Sequence, residues 1–161
     1  MSTLPAALSR VRPAVEHRLE EVLSGCRRRW EDLGQAAPEL LDAAGSILGG
    51  GKRMRAVLSA VGCALLTAPE RRAERLTSSD AVGLGTALEL YQASALIHDD
   101  LMDGADTRRG LPAAHRSFAR DHDARGWLGP SQTFGANGAI LLGDLLLSLA
   151  GEEMGALART R

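Results

Sequence analysis

Three aspartates, Asp99, Asp100 and Asp103, followed shortly by Arg108 and Arg109, form the densest group of chemically capable side chains in the sequence. At about 100° per residue, these carboxylates fall within one arc of a helix surface. Gln92, Ala95 and Leu88 are placed on nearly the same arc, one to three turns earlier. The spacing therefore predicts a helix with an oxygen-rich tip and a stripe of small residues behind it that can line a slot. Carboxylates this close repel one another unless a positive charge sits among them. At a helix C-terminus they are disfavoured by the dipole as well. Mg²⁺ suits such a site, because it takes oxygen ligands and keeps waters and substrate phosphates in its shell.

The second chemically loaded stretch is Gly49-Gly50-Gly51-Lys52-Arg53-Met54-Arg55. Glycines let backbone amides approach an anion, and a helix N-terminus adds its positive end. Lys52, Arg53 and Arg55 crowd the same point with cations. It is not a Walker P-loop, since the four-residue spacing and the Ser/Thr after the lysine are missing. Taken alone, the stretch fits diphosphate binding and a solvated basic turn equally well.

The elements that must carry these groups read as helices. Val15, Leu19, Val22 and Leu23 stand at helical spacing and predict a first helix after Pro13. A second helix starts at Pro38 and ends at the triple glycine. A third, from Met54 to Leu66, is apolar enough to be buried. Residues 67–80 are polar and read as a loop with one helical turn, in which Ser78, Ser79 or Asp80 caps the central acidic helix. Residues 104–132, rich in Gly, Asp, Arg and Pro, read as a functional flap with short helical turns. A last helix covers Gly135 to Met154, with Asp144 inside it either as a satisfied buried acid, the favoured structural role, or as a packing polar contact near the site. No segment reads as a strand.

The 161 residues are 45% hydrophobic and 24% charged, the balance of a globular chain with one core. Two Trp, one Tyr and two Phe leave Leu, Ala, Val and Met to build that core. A net charge of −1 gives no electrostatic support for nucleic-acid binding. Cys26 and Cys63 lack metal spacing and fit a reducing cytoplasm. The N-terminus has no continuous apolar segment of the secretory kind. The most apolar run, from Ala139 to Ala150, is short for a bilayer and carries Asp144, so it reads as a buried helix and not a membrane span.

An acidic metal site, two cationic groups and an apolar slot together suit two diphosphates with hydrocarbon tails better than a nucleotide. The metal and cations would neutralise a departing diphosphate while a dry slot shields a carbocation from water. GGGKRMR, then ELYQASALIHDDLMD, then TRRGLPAAH resembles, in order and spacing, the N-terminal half of the trans-isoprenyl diphosphate synthases, or polyprenyl synthetases. The resemblance runs from about Ala14 to the end.

That resemblance implies the all-α isoprenoid-synthase bundle, here as an N-terminal portion forming one domain over 1–161, with 104–134 as a substrate-binding loop region. Asp99, Asp100 and Asp103 would hold Mg²⁺ and an allylic diphosphate, which Arg108 also contacts. Lys52, Arg53, Gln92 and Arg109 would bind isopentenyl diphosphate. The two would condense head-to-tail. Small residues at Ser94 and Ala95, with Tyr91 as the first large ring, imply a geranylgeranyl or longer product. Ala56 stands where the family has Pro. Family enzymes are roughly twice as long, and their second half carries another aspartate-rich motif. The expectation is thus a fragment or half-length chain with exposed apolar helix faces. It would act as a homodimer or with a complementary C-terminal half. A non-catalytic subunit that binds diphosphate or a partner is the alternative. A terpene cyclase is disfavoured by the two basic motifs, and a metal phosphohydrolase on His98-Asp99 by the absence of another histidine between His17 and His98 to serve as a ligand. His98, His115 and His122 carry no assigned role.

Overall fold

The computed structural model describes residues 4–159. Its helices are α1 (Leu4–Arg29), α2 (Ala36–Leu48), α3 (Met54–Leu65), α4 (Arg72–Arg75), α5 (Ser79–Met102), α6 (Ala114–Ala124) and α7 (Ser131–Arg159). A two-residue-per-strand antiparallel hairpin, β1 (Thr107–Arg108) and β2 (Leu111–Pro112), sits between α5 and α6.

Helix α5 is the spine of the bundle. Ser78, one of the three caps the sequence left open, opens it, with extended backbone and its Oγ accepting from the Ala81 amide at 3.4 Å. Leu90, Ala93 and Ile97 of α5 join Leu142, Leu146 and Leu149 of α7, Val57 and Ala60 of α3 and Val11 and Val15 of α1 in one core. Close approach is bought with small residues. A Cβ on Gly85 of α5 would stand 2.9 Å from the Ala56 side chain of α3, and one on Gly143 of α7 would stand 2.2 Å from Nε2 of His98.

Four expectations need correction. Helix α1 does not begin after Pro13 but runs through it. Its buried stripe of Ala7, Val11, Val15, Leu19 and Leu23 starts before the proline, and packing along the whole line outweighs the missing backbone hydrogen bond. Helix α3 is buried on one side only, since Leu58 and Leu65 are exposed. Residues 104–132, expected as a flap with short helical turns and no strand, contain the two-stranded hairpin and the three-turn α6. The buried side of α6 is His115, Ala119 and His122, so its helical spacing was carried by histidines and not by aliphatics. His122 packs against Trp127 and Phe134 with ring centroids 5.9 and 5.1 Å away, which closes the α6–α7 turn.

Asp144 is the fourth. It is exposed, with Oδ1 3.7 Å from His98 Nε2, rather than buried. The same outer side of α7 presents Ile140, Leu147 and Met154 at seven-residue intervals, together with Leu141. By length and composition α7 would be able to cross a bilayer, but its inner side is committed to the core.

Candidate active site

The acidic end of α5, the hairpin and the α2–α3 loop meet around one cavity of about 100 Å³. Each arrives there for a local reason. Arg109 and Gly110 have φ of 54° and 80°, the double positive φ of a tight two-residue hairpin turn. That turn pairs Arg108 with Leu111 and folds the arginines back over α5. The α2–α3 loop passes Gly50 and Gly51 at φ 76° and 102°, which only glycine adopts without strain. A Cβ on Gly51 would lie 3.2 Å from an Arg109 guanidinium nitrogen. The glycine motif and the second arginine, far apart in sequence, are therefore in direct apposition.

Along α5 the predicted single arc divides in two. Gln92, Leu96 and Asp100, four residues apart, face the cavity. Tyr91, Ala95, Asp99 and Asp103, also four apart, are exposed on the neighbouring line. Ser94 belongs to neither, being buried. The sequence arc was too wide because adjacent Asp99 and Asp100 are about 100° apart, enough to place one in solvent and the other inside.

Asp100 is buried and bound by both carboxylate oxygens to Arg108, with Nη2 to Oδ1 at 2.6 Å and Nε to Oδ2 at 2.5 Å. Asp99 lies farther off, its Oδ2 3.6 Å from Arg108 Nη2. Hydrogen bonding to Asp100 holds the Arg108 guanidinium above its ordinary pKa despite partial burial, and the Asp100 and Asp99 charges add to this. The bidentate geometry is the strong form of this contact.

Among the described residues, no three His, Cys, Asp or Glu side chains are arranged to hold a metal by themselves. The donor set nonetheless suits Mg²⁺. Asp99 and Asp103 present hard oxygens to solvent, and this ion characteristically binds through one or two carboxylates with phosphate oxygens completing its shell.

Arg53, expected at the diphosphate, lines the cavity but is engaged within the protein. It is buried, and its guanidinium donates to Glu89 Oε2 at 3.3 Å and to the Leu48 carbonyl at the end of α2. Lys52 and Arg55, by contrast, are exposed on either side of it. Sequence reasoning grouped the three cations without a way to separate them. The alternation of buried and exposed positions depends on how α3 meets α5. His98 is wedged at the α5–α7 crossing, its Nε2 3.4 Å from the Ile140 carbonyl oxygen. His115 is buried beneath the hairpin side of α6, and desolvation, helped by Arg116, pushes its pKa down while Asp100 and Asp106 oppose.

Comparison with known proteins is consistent with this geometry. The model of the family described as polyprenyl synthetase matches residues 37–161. Geranylgeranyl pyrophosphate synthase 11 (chloroplastic) of Arabidopsis thaliana is 38% identical over 111 residues, 68% of this chain and 24% of that protein. The geranylgeranyl diphosphate synthase of Methanosarcina mazei is 36% identical over 124 residues, 77% of this chain and 29% of the other. The crystal structure of geranylgeranyl pyrophosphate synthase from Corynebacterium glutamicum, complexed with isoprenyl diphosphate and magnesium, superposes with a TM-score of 0.80 at 32% identity. That superposition covers 93% of this chain and 42% of the other. The chain thus spans about a quarter of the length of the curated relatives it matches.

Proposed function

This chain belongs to the polyprenyl synthetase family and has the all-α fold of the isoprenoid synthases, and we propose that it serves head-to-tail prenyl transfer. In this reading isopentenyl diphosphate and an allylic prenyl diphosphate condense to a longer polyprenyl diphosphate, of geranylgeranyl length or beyond. The observation that carries it is the meeting of three motifs at one cavity: Gly51 against Arg109, and Arg108 clamped on Asp100.

The parts divide the work as follows. Arg109 and Gln92 line the cavity and, with exposed Lys52 of the adjoining loop, would take isopentenyl diphosphate, with exposed Arg55 as a further cation at the same helix end. Asp99 and Asp103 would hold Mg²⁺, with Asp100 keeping Arg108 turned towards them. Bound Mg²⁺ would supply positive charge for the diphosphate that leaves. Arg108 places a second positive charge beside that leaving group, lowering the cost of charge separation. Below the two exposed aspartates, Ala95 and then Tyr91 continue the line a prenyl tail would follow, and the small Ala95 favours a long product. Region 104–134 contributes the hairpin arginines and is the proposed substrate-binding segment of a single domain. Two free cysteines, one of them buried, suit a reducing cytoplasm.

A second reading is supported by one observation. The line from Tyr91 to Asp103 and the apolar outer side of α7 are open to solvent, so nothing here dries the tail channel. A chain in this state would bind diphosphate without turnover until a second copy or a complementary C-terminal half covers it. The test is product formation from isopentenyl diphosphate and radiolabelled farnesyl diphosphate with Mg²⁺, using Asp99→Ala as control. Longer labelled product that vanishes in the control supports catalysis by this chain. No product from folded protein alone, with product restored by the complementary half, supports the second reading. No product in either case refutes the proposal.

A further inference from the structure

We propose that Arg53 is a positioning residue, which with Glu89 sets the Gly49–Lys52 loop and so aims its cations, without touching substrate. The inference rests on the diphosphate-binding reading above. Arg53 is the N-cap of α3, yet makes no capping hydrogen bond with its side chain and has left-handed backbone, φ 49° and ψ 35°. A non-glycine residue is strained there and keeps the conformation only when its surroundings impose it. What imposes it is the guanidinium. One nitrogen holds the last carbonyl of α2, Leu48, another holds Glu89 of α5, and Nε lies 3.8 Å from Glu16 of α1. The residue ties four helices together at the point where the glycine loop must turn.

Both terminal nitrogens of the guanidinium are taken by these contacts, while Nε is buried without a hydrogen-bond partner. The side chain is only 6% exposed, against 12% for Glu89, and Glu89 cancels its charge at short range. Arg53 and Glu89 both line the cavity, so a diphosphate that approached the guanidinium would meet the Glu89 carboxylate beside it. The turn that Arg53 fixes, however, is what brings Gly51 against Arg109 and leaves Lys52 in solvent. A shift of the loop would move both cations.

The sign of the Glu89→Gln effect separates this role from direct ligation. If Arg53 bound the anion itself, removing the carboxylate beside it would free the guanidinium and strengthen binding. If Arg53 acts through Glu89, the change must weaken binding as Arg53→Gln does. The double variant should then be no worse than the worse single one, as for residues acting in one unit. The experiment is titration of inorganic diphosphate with Mg²⁺ into the chain and into Arg53→Gln, Glu89→Gln, the double variant and Arg53→Lys. It is combined with amide hydrogen exchange at Gly50, Gly51 and Lys52 without ligand. We expect roughly ten-fold weaker binding in both single variants, no rescue by the unforked lysine, and faster exchange at the loop in all. Unchanged or tighter binding in Glu89→Gln overturns the proposal. So does a lowered melting temperature with wild-type affinity and exchange, which would leave a purely structural role. Should Arg53→Gln not fold, the near-isosteric Glu89→Gln decides alone. If the unaltered chain binds no diphosphate, the functional reading fails, and loop exchange by itself still decides whether Arg53 and Glu89 set the loop.

Discussion

Asp100 and Arg108 illustrate how a charged motif is made compatible with burial. Either group alone in that position would be an uncompensated charge, and the bidentate contact removes the penalty. Arg108→Ala should therefore lower folding stability by about 1–3 kcal/mol, read from urea unfolding without metal, because Asp100 is left buried and unpaired. Asp99→Ala, an exposed position, should leave stability nearly unchanged under the same conditions. His115 gives a pH signature of its own. Its folded pKa is depressed by burial from the ordinary 6.5, so the unfolded chain binds the extra proton more readily. Stability from this residue is present above that value and is lost as pH falls through and below it. The urea midpoint should fall on acidification from neutral pH, and His115→Asn should flatten that decline.

Between elements, glycines decide which helices can touch. A Cβ on Gly135 of α7 would meet the His115 carbonyl oxygen of α6 at 2.3 Å, and a backbone atom cannot step aside. Gly135→Ala should cost roughly 1–3 kcal/mol in urea unfolding, by forcing α6 and the hairpin arginines away from α5. Gly151, on the outer side of the same helix, has open space around it. Gly151→Ala should instead stabilise by about 0.5–1 kcal/mol, through helix propensity alone. Opposite outcomes from one substitution type in one helix would separate packing from propensity. The hairpin belongs to this scale too. Its Arg109-Gly110 turn was missed from the sequence, because Arg is not a residue that favours positive φ and the strands are too short to show alternation.

For the molecule as a whole, α7 is the decisive surface. Ile140, Leu147 and Met154 form an exposed apolar line on the side away from the core, with Leu141 beside it. Such a surface on an isolated chain invites association. Sedimentation should show self-association of the chain alone at micromolar concentration. A Leu141→Glu, Leu147→Glu double variant should sediment as a monomer with unchanged helical content. A monomeric wild-type chain would mean that Asp144 and the small residues between these side chains keep the surface soluble.

The sequence by itself determined the dominantly helical architecture, the start of the central helix within Ser78–Asp80, the break at the triple glycine, and the family. Those properties depend on local periodicity and on motif order, which survive without any knowledge of neighbours. It also supplied Arg53, Asp100, Arg108 and Arg109 at the cavity, but not Glu89, which on the sequence is one more polar residue of a long helix. Only the tertiary structure decided which of them are free. Arg53 and Arg55 are the same residue type two positions apart, and Asp99 and Asp100 are adjacent, yet one member of each pair is buried in an ion pair and the other faces solvent. That choice is made by where α1, α3, α5 and the hairpin cross. A few ångströms of approach, granted by residues such as Gly51 and Gly85, determine whether a charge finds a partner or water.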